Sequence, residues 1–223
     1  TGMHRLGFSP SEAQEVYQSL KDSRNVSDQI VVASHFACAE DFDNDFTDQQ
    51  LATFGKTVQD FASDENNPLK TSLANSASIL GRPDTHKDWN RPGYMIYGAS
   101  PFDLPQENAD KLKPVMTLNS AVISVRNIDA GEKVGYSGKW TAERPSTIAT
   151  IGIGYGDGYP RTAPYGTPVL VNGVECPLVG IVSMDMITVD VSDLDSVAIG
   201  DAVELWGNQL AVNKVAAHCG TLG

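Results

Sequence analysis

The sequence predicts two textures in one chain: parallel strand–helix units over residues 1–113, then a mostly β unit over residues 114–223. Three observations carry this reading. Before Pro114, short apolar runs alternate with amphipathic stretches at the spacing of βα units. After it, apolar and polar residues alternate and Gly, Pro and Asn turns recur at short intervals. Over the 223 residues, 41% are apolar and 20% charged, which gives enough apolar side chains for real cores.

The elements follow in order. Ser9-Pro10-Ser11-Glu12 opens a helix, with a capping hydroxyl, a proline in the first turn and an acid at the positive end. Val16, Leu20 and Tyr17 supply its expected buried face. Gln29–Ser34 reads as a strand buried on both sides. A second helix is expected from Phe46 to Phe61, with Phe46, Leu51, Phe54, Val58 and Phe61 at helical spacing and Thr47 or Asp45 as caps. A short strand follows at Thr71–Ala74, a short helix runs to Leu80, and another turn of strand lies near Trp89–Arg91. In the second part, Leu118, Ala121, Ile123 and Val125 mark a half-buried strand. Val169–Cys176 is a hairpin turning at Asn172-Gly173. Val179–Val191 and Ala202–Trp206 are further strands, and Asn213–His218 returns to helix.

Composition excludes several classes. Sixteen basic against 28 acidic residues give a formal net charge of -12, a surface that repels nucleic acid. The longest apolar runs are too short to span a membrane. Three widely spaced cysteines, Cys38, Cys176 and Cys219, make no disulfide framework and suit a reducing cytosol, so a cytoplasmic location is expected. Asn25-Val26-Ser27 fits a glycosylation pattern that is read as chance without a secretory signal. No metal-ligand cluster is identified. The first and last residues, Thr1 and Gly223, read as cut ends of a longer protein.

In parallel βα units, polar residues at the carboxyl ends of strands converge on a ligand. Arg5, His35, Ser76 and Arg91 all stand at such ends. Singly, each has an ordinary alternative as a solvated or capping residue; the shared placement is the argument. Ser76 and Gly93 suit a phosphate dianion, through a hydroxyl and backbone N–H groups. Ile151–Arg161 spends four alternating glycines around Tyr155. The spacing is not that of a dinucleotide loop, and bare turns need fewer glycines. A strand ending in a glycine-lined loop that presents a phenol for acid–base work is the better reading. Met184-Asp185-Met186 reads, by itself, as core filling.

Together these segments resemble one family, the bacterial alanine racemases. Thr1-Gly2-Met3-His4-Arg5-Leu6-Gly7, Ser34-His35-Phe36-Ala37, Ala74-Asn75-Ser76-Ala77, Arg91-Pro92-Gly93 with Tyr97-Gly98, Gly154–Tyr159 and Ser183-Met184-Asp185 all look like its motifs, in its order. The resemblance covers essentially the whole chain. It implies pyridoxal 5'-phosphate as cofactor and interconversion of L- and D-alanine by two-base α-proton exchange on the cofactor imine. It also implies the second half of a TIM-like (β/α)8 barrel over 1–113, a C-terminal β domain over 114–223, and a homodimer whose subunits share active sites. Tyr155 matches the catalytic tyrosine, which works in the partner subunit's site. Arg91 matches the arginine on the pyridine nitrogen, and His35 the histidine joining that arginine to the tyrosine. Ser76, with Asn75 in its motif and the backbone of Gly93 and Tyr94, matches the phosphate site. Arg5 and Met184 match positions near the substrate carboxylate, Met184 through its backbone N–H.

The departures are specific. The family's lysine, which holds the cofactor and serves as the second base, matches none of the lysines here. A whole barrel needs roughly 250 residues, so on the order of 130 are expected before Thr1. A carbamylated lysine is expected just before Thr1 and a phosphate-binding tyrosine just after Gly223. Ile181 stands where an arginine of the substrate channel is expected, Ser183 where a cysteine is common, and Glu40 where an Asp is usual. The residues leave open a broad-specificity or serine racemase, or a non-catalytic cofactor-binding relic. The 223-residue chain alone is expected to be inactive.

Overall fold

The computed structural model describes residues 1–59, 61 and 68–223. They form two compact units: Thr1–Ile96 with Ser100–Leu112, and Tyr97–Ala99 with Lys113–Gly223.

The first unit is built on a parallel pair, β1 (Val31–Ala33) and β2 (Lys70–Ser72), in register Val31↔Lys70 to Ala33↔Ser72. Parallel neighbours require a crossover, supplied in part by α2 (Phe46–Gln59). An isolated parallel bridge, Ser72↔Trp89, extends the sheet where the third strand was expected. Phe36, Phe54, Leu73, Ala77, Leu80 and Phe102 form the core beneath these elements.

The structure departs from expectation in three elements of this unit. The strand at 29–34 is only three residues long, with Val31 39% exposed. Among the described residues β1 pairs with β2 alone, and only Val32 packs on the core, so burial is one-sided. The first helix, α1 (Ala13–Lys21), buries none of its residues; Val16 and Tyr17 are half-buried and Leu20 is exposed. Its main anchor is Tyr17, stacked on Phe61 with ring centroids 4.8 Å apart. Ser9 donates both its N–H and its hydroxyl to the Glu12 carboxylate, tightening the entry turn without capping the helix itself. The second helix ends at Gln59, not Phe61; position 60 lies outside the described residues, and Phe61 is buried beyond the helix. At its start the Asn44 side chain accepts the Phe46 N–H, where a cap at Asp45 or Thr47 is expected.

The second unit is a closed antiparallel barrel of six strands. They are β3 (Leu118–Ile128), β6 (Ser146–Ile151), β7 (Pro168–Val171), β8 (Val174–Val179), β9 (Ile187–Asp190) and β10 (Ala202–Trp206), in the order β10-β3-β6-β9-β8-β7. Closure leaves no unpaired edge. A small side hairpin joins β4 (Lys133–Val134) to β5 (Trp140–Thr141). Ile151, Val169, Val171, Leu178, Val189 and Leu205 point into the barrel core. The β7–β8 hairpin turns on Asn172 (φ 52°) and Gly173 (φ 79°), the paired left-handed conformation an Asn-Gly turn provides.

In β3 the expected inward residue Ile123 is 46% exposed, whereas Val122 is buried. The β3–β6 register shifts between Val122 and Ser124, so Ile123 is the extra residue of a bulge. A bulge advances the side-chain phase by one, which is why Leu118 and Val122 share a face with Val125. The expected strand 179–191 is broken: β8 ends at Val179, β9 begins at Ile187, and residues 180–186 form a loop. A final helix, α4 (Val212–His218), packs Val215 against Leu170 and Leu210.

Candidate active site

In the first unit, the segments after β1 and β2 bring Arg91 and His35 together. Arg91 is held by five contacts. Its backbone N–H donates to Ala74 O (2.9 Å), and its guanidinium donates to Ser72 Oγ, Ser34 O (2.6 Å) and Leu73 O (3.2 Å). The fifth is to His35 Nδ1, at 3.4 Å. A guanidinium has no acceptor, so Nδ1 must accept and the neutral ring carries its proton on Nε2. Burial, then the charges of Arg91 and Arg5, lower the His35 pKa, which keeps the ring neutral at pH 7. Burial also lowers the pKa of Arg91, yet a guanidinium so placed stays protonated. Arg5 is exposed and lines the same cleft as Thr1, His35 and Arg91.

Ser76 opens α3 (Ser76–Gly81) and is 5% exposed. Its Oγ accepts the Met95 N–H at 3.0 Å, which leaves its own proton for another acceptor. Asn75 is committed elsewhere: its side chain accepts the Ser78 N–H at 3.1 Å while Ser78 Oγ accepts the Asn75 N–H, a capping box. Gly93 is exposed, and a Cβ built there would meet nothing within 4 Å, so the chain at Gly93 borders open space.

In the second unit, β6 ends at Ile151 and the chain turns through a short 3-10 segment, Tyr155–Asp157. The turn is clamped from both sides. Tyr155 N–H donates to Ser183 O (3.0 Å), Gly156 N–H to Met184 O (2.8 Å), and Gly154 N–H to Asp157 Oδ2 (2.9 Å). A Cβ at Gly154 would fall inside the Ser183 and Met184 carbonyl oxygens, so that position needs glycine for room rather than for φ. The Tyr155 ring is half-buried against the barrel core, with the Arg161 guanidinium over it at 5.2 Å. Met184 is not core filling: its side chain is 56% exposed. Its N–H makes no hydrogen bond among the described residues, while its carbonyl is used by the turn.

Sequence reasoning missed Gln50. It is fully buried: Oε1 accepts the Ala37 N–H (2.9 Å) and Nε2 donates to His35 O (2.9 Å). It therefore pins the loop that carries His35. The signal was a polar residue four positions from both Phe46 and Phe54, on the apolar stripe of α2. Ser72 and Ser34, the supports of Arg91, carried no such signal.

A parallel strand–helix unit bearing a charge-fixed Arg–His pair, followed by a six-stranded barrel presenting a tyrosine, defines a two-domain α/β-plus-β class of protein. Residues 1–101 match the family model for the alanine racemase N-terminal domain, and residues 115–223 that for the C-terminal domain. The chain is 48% identical over 222 residues to the alanine racemase of Pseudomonas taetrolens and 47% identical to the catabolic alanine racemase of Pseudomonas putida. All of this chain aligns in both cases, with 60% of each relative. Among solved structures, the biosynthetic alanine racemase of Pseudomonas aeruginosa superposes with a TM-score of 0.91 at 48% identity, over 99% of this chain and 60% of that one. The Bartonella henselae alanine racemase, solved with covalently bound pyridoxal phosphate, superposes at 0.85 and 36% identity, over all of this chain and 60% of that one. The chain belongs to the alanine racemase family, and it spans about 60% of the length of the curated relatives it matches. Among the described residues no helix is long and apolar enough to cross a membrane.

Proposed function

We propose that this chain is the larger part of a pyridoxal-phosphate-dependent alanine racemase, an isomerase that interconverts L- and D-alanine. In this reading residues 1–113 are the second half of a (β/α)8 barrel and 114–223 the C-terminal domain carrying the catalytic tyrosine. The protein acts in the cytoplasm as a homodimer, with Tyr155 serving the partner subunit's site.

The observation that carries the reading is the Arg91 guanidinium, fixed by backbone carbonyls, Ser72 and His35 Nδ1. It is a donor that cannot give up its proton, so a pyridine nitrogen facing it stays neutral. The Ser76 hydroxyl, with its proton spare, and the open space at Gly93 fit a phosphate, with the backbone of Gly93 and Tyr94 as the donors the family resemblance gives to it. These residues therefore suit pyridoxal phosphate, which when bound acidifies the α-hydrogen of an attached amino acid. Tyr155 holds and moves that proton at its phenolic oxygen on one face of the α-carbon. The opposite face needs a second base, which the family resemblance gives to a lysine that no lysine here matches. The 223-residue chain alone is accordingly inactive in this reading. In this reading Arg5 and the Met184 N–H are the groups that serve the substrate carboxylate, as the family resemblance implies.

The test uses the full-length holoenzyme. Tyr155→Phe should lower racemisation in both directions by roughly a hundred- to ten-thousand-fold, the usual contribution of a positioned acid–base group. Activity within a few-fold of wild type would remove Tyr155 from the mechanism.

A further inference from the structure

Each backbone bond of the Tyr155 turn has a partner in the turn itself or in the 183–184 loop, but the Tyr155 hydroxyl makes no hydrogen bond among the described residues. What faces the ring is Arg161. Its guanidinium carbon lies 5.2 Å from the ring centroid, inside the range where a cation is attracted to the π face. Arg161 is exposed and forms no ion pair or hydrogen bond among the described residues, so no carboxylate competes for it. The two residues sit at opposite ends of one short loop. The backbone clamps fix where the tyrosine begins, and the cation restricts where its ring rests.

We infer that Arg161 is a positioning residue for Tyr155, holding the phenol ring in its working orientation through a cation–π contact. It touches neither substrate nor cofactor in this account and acts only through the ring. The inference rests on Tyr155 being the proton-transfer group of a racemase.

The experiment compares Arg161→Met and Arg161→Lys in the full-length holoenzyme. Arg161→Met keeps an unbranched apolar stem but removes the guanidinium and its charge, and an exposed cation–π contact corresponds to about a two- to five-fold loss in kcat with KM unchanged. Arg161→Lys restores a cation and should recover most of that loss. With α-deuterated alanine, the isotope effect should rise in Arg161→Met only for the enantiomer whose proton Tyr155 removes, since the base on the other face is untouched. A second readout needs no turnover. In protein labelled at the tyrosine ζ-carbon, the Tyr155 NMR line, assigned by its loss in Tyr155→Phe, should move in Arg161→Met and stay near its wild-type position in Arg161→Lys. Equal kcat and an unmoved line in Arg161→Met overturn the inference, as does an Arg161→Lys variant as impaired as Arg161→Met. An isotope effect that rises equally for both enantiomers also overturns it. A wild-type holoenzyme that does not racemise alanine defeats the underlying reading instead, while the NMR comparison still decides the contact.

Discussion

Arg91 is useful because its surroundings leave it no freedom. Two carbonyls on consecutive loops, a buried serine and a histidine ring nitrogen take its donors, and its own burial lowers its pKa only from a very high starting value. The neighbouring His35 shows the opposite consequence of the same field. Burial and the charges of Arg91 and Arg5 lower its pKa, so the unfolded chain binds a proton more readily than the folded one. Stability therefore rises with pH through that window and is lost as pH falls below about 6.5, the ordinary histidine value. Urea midpoints of the full-length protein measured from pH 7.5 to 5 should fall toward acid, and His35→Gln should lose part of that slope. Identical slopes would show that His35 is not strained by its charged neighbours. At this scale the sequence was legible where a polar residue ended an apolar strand, as with His35. It was not legible where common serines, Ser34 and Ser72, gain their meaning only from the arginine that folds onto them.

Among the elements, the turn after β6 is the most constrained. Gly154 has an ordinary extended φ, but two backbone oxygens occupy the space of its missing side chain, and neither can rotate away. Gly154→Ala should destabilise the protein by about 1–3 kcal/mol, as overpacking does, and should displace Tyr155 enough to lower activity. Thermal melts and racemisation rates check both. Asn75→Ala gives a contrasting case. It removes the cap of α3, a loss of about 1 kcal/mol, without touching the hydroxyl of Ser76. Its melting temperature should drop while cofactor affinity changes little; a large loss of affinity would mean that Asn75 itself meets the ligand. Asn172-Gly173 and the α2 stripe were readable because turn chemistry and helical period are local rules. The bulge at Ile123 and the break at 180–186 were not, because both depend on which strand lies alongside. The three-residue β1 was overestimated for the same reason: an apolar run says that burial is available, not which neighbours supply it.

For the whole molecule, the two units differ in kind. The second unit closes its sheet into a barrel and buries a continuous core. Among the described residues, the first has a two-stranded parallel sheet with β1 paired on one side, and it exposes Val31, Phe42, Trp89 and Leu104. Unpaired strand edges and apolar surface of this sort favour association. The 223-residue chain, expressed by itself with pyridoxal phosphate, should aggregate or melt without a sharp transition and should not racemise alanine. A soluble monomer with a cooperative melt and measurable turnover would contradict that.

The most direct measurement follows the full-length protein, loaded with pyridoxal phosphate, in heavy water with either L- or D-alanine. Each enantiomer should convert to an equal mixture whose product carries deuterium at its α-carbon. Tyr155→Phe should lose the interconversion in both directions and the exchange of the enantiomer whose proton Tyr155 removes, while the base on the other face can still exchange the other enantiomer without inverting it. Alanine that keeps its configuration and its α-hydrogen with the wild-type holoenzyme, or interconversion that survives unchanged in Tyr155→Phe, would contradict this mechanism.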